Sequence, residues 1–151
     1  MARREDISSL VAFNLAIAWE TENRALDEDI LRRGVTAVFD DPQKGFYLVA
    51  EDESEAVAAR DKVVGSLLVT FEWSDWHDAY FWWIQSVYVL PGARQKGVYA
   101  AMHHFVESEA RRRRDVCGLR LYVDRDNERA RAVYARLGMK HSRYEFYEVE
   151  F

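Results

Sequence analysis

The six residues Arg94, Gln95, Lys96, Gly97, Val98 and Tyr99 combine the side chains and backbone freedom needed to hold an anion. They follow an apolar run that ends at Leu90 and a Pro91–Gly92 turn, and they open a segment with helical spacing. At such a junction the first N–H groups of the helix have no partner within it and point outward, and the helix dipole adds partial positive charge. Gly97 lets the backbone approach the anion closely, while Arg94 and Lys96 contribute charge. Taken alone, these residues predict a phosphate-binding turn, which a nucleotide would satisfy as well as any other phosphate ester.

The elements that must position this turn can be read from periodicity. Tyr80 to Leu90, rich in aromatic and β-branched residues, predicts the strand that leads into it. Gly97 to Arg114 predicts the helix that leaves it, with Val98, Ala101, Met102 and Phe105 on the buried face. Upstream, Leu10, Val11, Asn14, Leu15, Ala18 and Trp19 predict a helix from Asp6 to Glu20, capped by Asp6. A second helix covers Asp27 to Phe39 and is stopped by Asp41 and Pro42. Phe46 to Glu51 and Val63 to Trp73 form a hairpin across the charged loop Asp52 to Asp61. Downstream, Leu119, Leu121 and Val123 alternate with Arg120, Tyr122 and Asp124 and predict a strand from Leu119 to Asp124. Ala130, Val133, Tyr134 and Leu137 place a helix over Asn127 to Leu137, with Gly138 as its C′ residue. A final antiparallel pair is expected around Met139 to Phe151. This order, without repeats or an internal linker, predicts one α/β (α+β) sheet domain over residues 1–151.

Composition narrows the partners. A length of 151 residues with 49% hydrophobic content is enough for one core. The net charge of −5 argues against general affinity for nucleic acid or an anionic membrane and favours cationic substrates. Arg111 to Arg114 reads as a solvated helix end that complements the helix dipole. Cys117 is the only cysteine, which excludes an internal disulfide and fits a cytoplasmic setting. No metal is expected, because His103 and His104 are adjacent on a helix and point about 100° apart. No apolar run is long enough for a membrane span.

A second motif joins the turn. Leu121, Val123, Asn127, Ala130, Tyr134, Gly138 and Met139 repeat the spacing of the other half of the acetyl-CoA site of the GCN5-related N-acetyltransferase (GNAT) superfamily, which this sequence resembles. The family's turn reads Arg or Gln, two residues, Gly, one residue, then Gly or Ala. Here Tyr99 stands at the last, small position, so it must turn aside or stack on the cofactor. The resemblance covers about Val63 to Phe151, with Gly65 in the expected strand, and extends loosely to the first helix. It implies a mixed, mostly antiparallel sheet flanked by helices. The family begins with a strand, and Ala2 to Asp6 leave little or none of it: either the chain starts downstream of that strand or this member lacks it.

The resemblance also implies roles. The strand before the turn would splay from its neighbour and offer backbone groups of Val87, Tyr88 and Val89 to pantetheine and the acetyl oxygen. Arg94, Gln95, Lys96, Gly97, Val98 and Tyr99 would hold the pyrophosphate, Asn127 and Ala130 would line the pantetheine, and Tyr134 would protonate the leaving thiolate. A phenol suits that step, since its pKa of about 10 lies near that of the thiol. Glu72 is a candidate to take the amine proton, directly or through water. Trp73, Trp76, Trp82, Trp83 and Tyr80 make their stretch strongly aromatic, and those that reach the acceptor, Trp73 and Trp76 first, could hold an alkylammonium by cation–π contact. Glu20, with Glu22, could pair with a cationic acceptor. The activity implied is acetyl transfer from acetyl-CoA to a primary amine of a small molecule or peptide. The alternative is a CoA-binding sensor or interaction module with the same fold, motivated by Tyr99. The resemblance implies a monomer or a homodimer paired through Tyr144 to Phe151.

Overall fold

Adjacent residues Tyr47 and Leu48 are both buried, which requires a sheet covered on both faces. A computed structural model of the chain describes residues 1–54, 62–149 and 151. Its elements are α1 (Ile7–Glu22), α2 (Glu28–Asp40), β1 (Phe46–Glu51), β2 (Val63–Ser74), β3 (Ala79–Val89), α3 (Val98–Arg112), β4 (Val116–Arg120) and α4 (Glu128–Arg136). The sheet order is β1-β2-β3-β4, antiparallel between the first three and parallel between β3 and β4. This is the mixed, mostly antiparallel sheet the sequence predicts. No strand precedes α1 among the described residues; only Ala2 N–H reaches the edge of β1, donating to Tyr47 C=O at 2.9 Å. Of the expected loop Asp52 to Asp61, residues 55–61 lie outside the described residues.

Two cores follow from the alternation. On one face Leu48, Leu67, Val69, Trp82 and Ile84 pack with Met102, Val106 and Ala110 of α3. On the other, Tyr47 packs with Leu10 and Val11 of α1 and Val35 of α2. Gly65 lets the start of α3 lie against the sheet, since a Cβ there would come within 3.1 Å of Tyr88 O and 3.2 Å of Val98 Cγ1. The chain divides into two units, Met1–Leu121, which holds the whole sheet, and Tyr122–Phe151, which holds α4.

Four local expectations need correction. The buried stripe of α3 is Met102, His103, Val106 and Ala110, with Phe105 exposed, because the i, i+4, i+8 ladder faces the sheet and the phase through Ala101 and Phe105 does not. Trp19 of α1 is exposed for the same reason, and Phe13 is buried instead. β4 spans Val116–Arg120 rather than Leu119 to Asp124, because its ladder is set by Tyr80–Trp83 of β3, while side-chain alternation continues past the last pair. Met139 to Phe151 has no strand among the described residues, although Tyr144 and Phe146 flank Glu145 and Tyr147 and Val149 flank Glu148 in short alternating runs. Alternation marks two faces; a strand also needs a partner for its backbone. Tyr144, Phe146, Tyr147 and Val149 are exposed. Among the described residues, no helix is long and apolar enough to cross a membrane.

Candidate active site

The irregular point of the sheet lies in β3. Gly65 pairs with Val89 and Ser66 with Tyr88, but the next pair is Leu68 with Gln85, so Ser86 and Val87 together oppose Leu67. This is a β-bulge, and Ser86 adopts φ +48° to make it. Its effect is a change of parity: Trp82 and Ile84 face α3 before it, and Val87 and Val89 face α3 after it. Meanwhile the ladder to β4 ends at Trp83–Arg120, so Ile84 to Val89 pairs with β2 alone. Leu90 N–H donates to Val64 C=O at 2.9 Å, and alternation then directs the backbone groups of Val87 and Val89 to the open edge. Among the described residues, the strand that leads into the turn therefore has one unpaired edge.

The turn follows as a short 3-10 turn, Pro91–Ala93, and a left-handed step into α3. Gln95 has φ +65° and Gly97 φ +80°, flanking Lys96, an alternation of hand that aims successive amides to one concave side. A Cβ at Gly97 would meet nothing within 4 Å, so glycine is needed there for its φ rather than for space in the folded chain. The first helical bond runs from Ala101 N–H to Gly97 C=O at 2.9 Å, which leaves the preceding amides at the helix mouth. These features fit a phosphate-bearing ligand.

Arg94 is already answered by an acid, and Lys96 faces a cleft that carries acids. Arg94 donates Nε to Val89 C=O at 2.8 Å and Nη2 to Glu20 Oε2 at 2.6 Å, and Tyr88 Oη donates to Glu20 Oε1 at 2.8 Å. The hydrogen bond from Arg94, then that from Tyr88, holds the Glu20 carboxyl below its ordinary range. Tyr88 is pushed up, first by burial and then by Glu20. Lys96 lines a cleft of about 680 Å³ whose near wall is Leu90 to Ala93 and whose far wall carries Glu51, Asp52 and Glu53. Hydrogen bonds from Ser54 hold Asp52 below its usual range, with a smaller contribution from Lys96. With Arg94 engaged by Glu20, the backbone amides and Lys96 are the groups of the turn left to meet an anion. Tyr99 turns aside: its side chain packs against the α3 core, with its ring 6.0 Å from that of His103.

On the opposite face of the sheet Glu72 is heavily engaged. Arg120 Nη1 lies 2.7 Å from Oε1 and 2.9 Å from Oε2, and Trp83 Nε1 donates to Oε2. The Arg120 guanidinium lies over Phe81, 3.5 Å from the ring centroid. Gln85 Nε2 donates to Thr70 Oγ1 at 2.5 Å on the same face. Trp73 and Trp76 are exposed near the β2–β3 turn, Trp73 with its ring 5.0 Å from Tyr80, whereas Trp82 is buried core. In the second unit Asn127 caps α4, its Oδ1 accepting from Ala130 N–H at 3.0 Å and its side-chain NH₂ not used in the cap. Ala130, Val133, Tyr134 and Leu137 form the half-buried stripe of that helix, as their spacing predicts. Burial raises the Tyr134 phenol above its ordinary pKa.

Sequence comparison now decides the lineage, because residues 6–139, spanning both units, match the acetyltransferase (GNAT) family. The chain belongs to that family. Among individual GNAT relatives, a mycothiol acetyltransferase of Mycolicibacterium gilvum (strain PYR-GCK) is 30% identical over 139 residues. The match covers 89% of this chain but 42% of that protein, so the chain spans less than half of its relative. A possible acetyltransferase from Clostridium difficile 630 is 38% identical and superposes with a TM-score of 0.86, covering 99% of this chain and 94% of the other. A predicted acetyltransferase from Clostridium acetobutylicum, solved with acetyl-CoA, shares the GNAT fold with a TM-score of 0.73 at 19% identity, covering 99% and 92%.

Within this GNAT framework, three participants escape sequence reasoning. Ser86 leaves no trace in residue type, because serine does not favour positive φ. The Glu20–Arg94 pair joins residues 74 apart in the chain. Arg120 had a usable signal: it alternates with Leu119 and Leu121, which pack on the α3 core, and so belongs to the opposite face with Glu72.

Proposed function

We propose that the chain transfers an acetyl group from acetyl-CoA to a primary amine of a small molecule or peptide, by direct attack in a ternary complex. The observation that carries this is the open edge of β3 at Val87 and Val89, running without a break into the amide-lined turn at Gly97. A thioester laid along that edge would meet backbone donors at its carbonyl and pantetheine and helix-mouth amides at its pyrophosphate. The names of the relatives support the same activity, and the acetyl-CoA of the Clostridium acetobutylicum structure supports the choice of donor.

The residues divide the work as follows. Backbone groups of Val87 and Val89 orient the acyl group, and Arg94 to Tyr99 hold the phosphates. Tyr88, expected to join Val87 and Val89, instead pairs its backbone with Ser66 of β2. Asn127, through its side-chain NH₂, and Ala130 line the pantetheine. Tyr134, whose buried phenol is protonated at neutral pH, gives its proton to the departing thiolate. Glu72 takes the amine proton through a water, since three hydrogen bonds already occupy its oxygens. Trp73 and Trp76 contact the acceptor. Glu20 braces the turn through Arg94 rather than meeting the acceptor.

Release of free thiol from acetyl-CoA in the presence of an amine panel tests this activity, and Tyr134→Phe should lower turnover 10-fold or more, on the order expected of a general acid. An unchanged rate in that variant would remove Tyr134 from the mechanism. Binding of CoA with no thiol release above background for any amine would mark a binding module instead.

A further inference from the structure

The middle of α3 holds a cluster that acetyl transfer does not use. His103 is only 2% exposed, yet neither ring nitrogen has a hydrogen-bond partner among the described residues. Buried polar groups are almost always satisfied, so two orphaned nitrogens on one imidazole call for a missing partner. The neighbours of His103 supply the means. Glu107 lies one turn further on, at i+4 from His103 and i+3 from His104, the two spacings that bring side chains together on a helix. Arg111 donates Nε and Nη2 to Glu107 Oε1, at 3.0 and 2.7 Å, which leaves Oε2 directed toward the histidines. That oxygen is 3.9 Å from His104 Nδ1. One donor atom from each of His103, His104 and Glu107 falls within 4.8 Å of the others.

We propose that His103, His104 and Glu107 form a binding site for a divalent transition cation of the zinc class, with water completing its coordination. The divergence expected of adjacent histidines does not prevent this, because Glu107 projects between them from the next turn. Two imidazoles and one carboxylate match zinc, cobalt, nickel and copper, and not magnesium or calcium, which prefer all-oxygen shells. Bonds of about 2.0–2.2 Å place tetrahedral donors about 3.4 Å apart, so the three ligands must close by up to about 1.4 Å from their present spread of 4.8 Å. His104 is exposed and Glu107 partly so, and χ rotation of those two supplies the movement. The ion would give His103 the partner it lacks and would clip together one turn of the helix whose first residue follows Gly97.

The site is tested by isothermal titration of chelator-treated protein with ZnCl2, MgCl2 serving as the control. Zinc should bind saturably at one equivalent and raise Tm by about 4 °C or more at saturation, whereas magnesium should do neither. His104→Ala and Glu107→Gln alter accessible side chains, and each should weaken zinc binding at least about 10-fold while keeping the far-UV circular dichroism of the parent. Cobalt(II) should give visible ligand-field bands of four-coordinate strength that disappear in His104→Ala. Absence of saturable zinc binding would overturn the proposal. So would undiminished binding in both variants, since the ion would then sit on other groups such as His77, His141 or Cys117.

Discussion

From Tyr80 to Trp83, β3 is bonded on both sides, to β2 and to β4, whereas from Val87 to Val89 it keeps β2 alone. The closed half carries Trp82, buried in the α3 core against Phe46 and Phe71, with ring centroids 5.2 and 6.0 Å away. The open half carries no large apolar anchor except Tyr88, whose hydroxyl is tied to Glu20. Ser86 separates them. One strand thus does two jobs: its first half holds the sheet together, and its second half exposes backbone groups that a closed ladder would consume. The two halves share one core, since Val87 and Val89 of the open half pack on the same α3 cluster as Trp82.

Four substitutions would break or sharpen that contrast. The largest effect is expected from Trp82→Ala, which should cost about 3–5 kcal/mol in denaturant unfolding by leaving a cavity in the closed half. Its folded fraction should still bind acetyl-CoA. The converse pattern is expected of Gly97→Val, where a β-branched residue at φ +80° distorts the turn although no neighbour obstructs it. Affinity for acetyl-CoA should drop about 100-fold by titration calorimetry, about 2.7 kcal/mol, while the closed half keeps its structure.

Glu20→Gln probes the brace between α1 and the turn. The Glu20 carboxyl is depressed in the folded chain, so its contribution is present above the ordinary carboxylate pKa near 4.5 and is lost as pH falls through the lower folded value. Wild type should therefore lose stability below about pH 4.5 more steeply than Glu20→Gln, as thermal melts across pH 3 to 6 would reveal; parallel curves would count against the brace. The smallest effect is expected at the boundary itself. Ser86→Gly should stabilise by about 0.5–1 kcal/mol, raising Tm by roughly 2–3 °C, because glycine accepts positive φ without strain. A loss of stability would mean that the serine side chain, and not the bulge, is what matters there.

Much of this organisation was legible in residue order. The bounds of β1, the start of α4 near Asn127, the half-buried stripe Ala130, Val133, Tyr134 and Leu137, and the glycine at the turn all follow from periodicity and backbone freedom within a few residues. The phase of α3 was less legible, since Val98 begins two overlapping apolar ladders and only the sheet chooses between them. The end of β4 and the lack of a strand among the described residues of Met139 to Phe151 were not legible, because hydrogen-bond partners for a strand come from elsewhere in the chain.

By itself, the sequence determined the helix–strand order as far as α4, the glycine turn before α3 and the family, because each rests on short-range spacing or on the special φ of glycine. Only the tertiary structure decided that Arg94 is held by Glu20 across 74 positions, that Glu72 is held by Arg120, and that β3 changes parity at Ser86. Those outcomes depend on which strand runs out of partners and where. No local pattern of residues encodes that, since a ladder ends when its neighbour does.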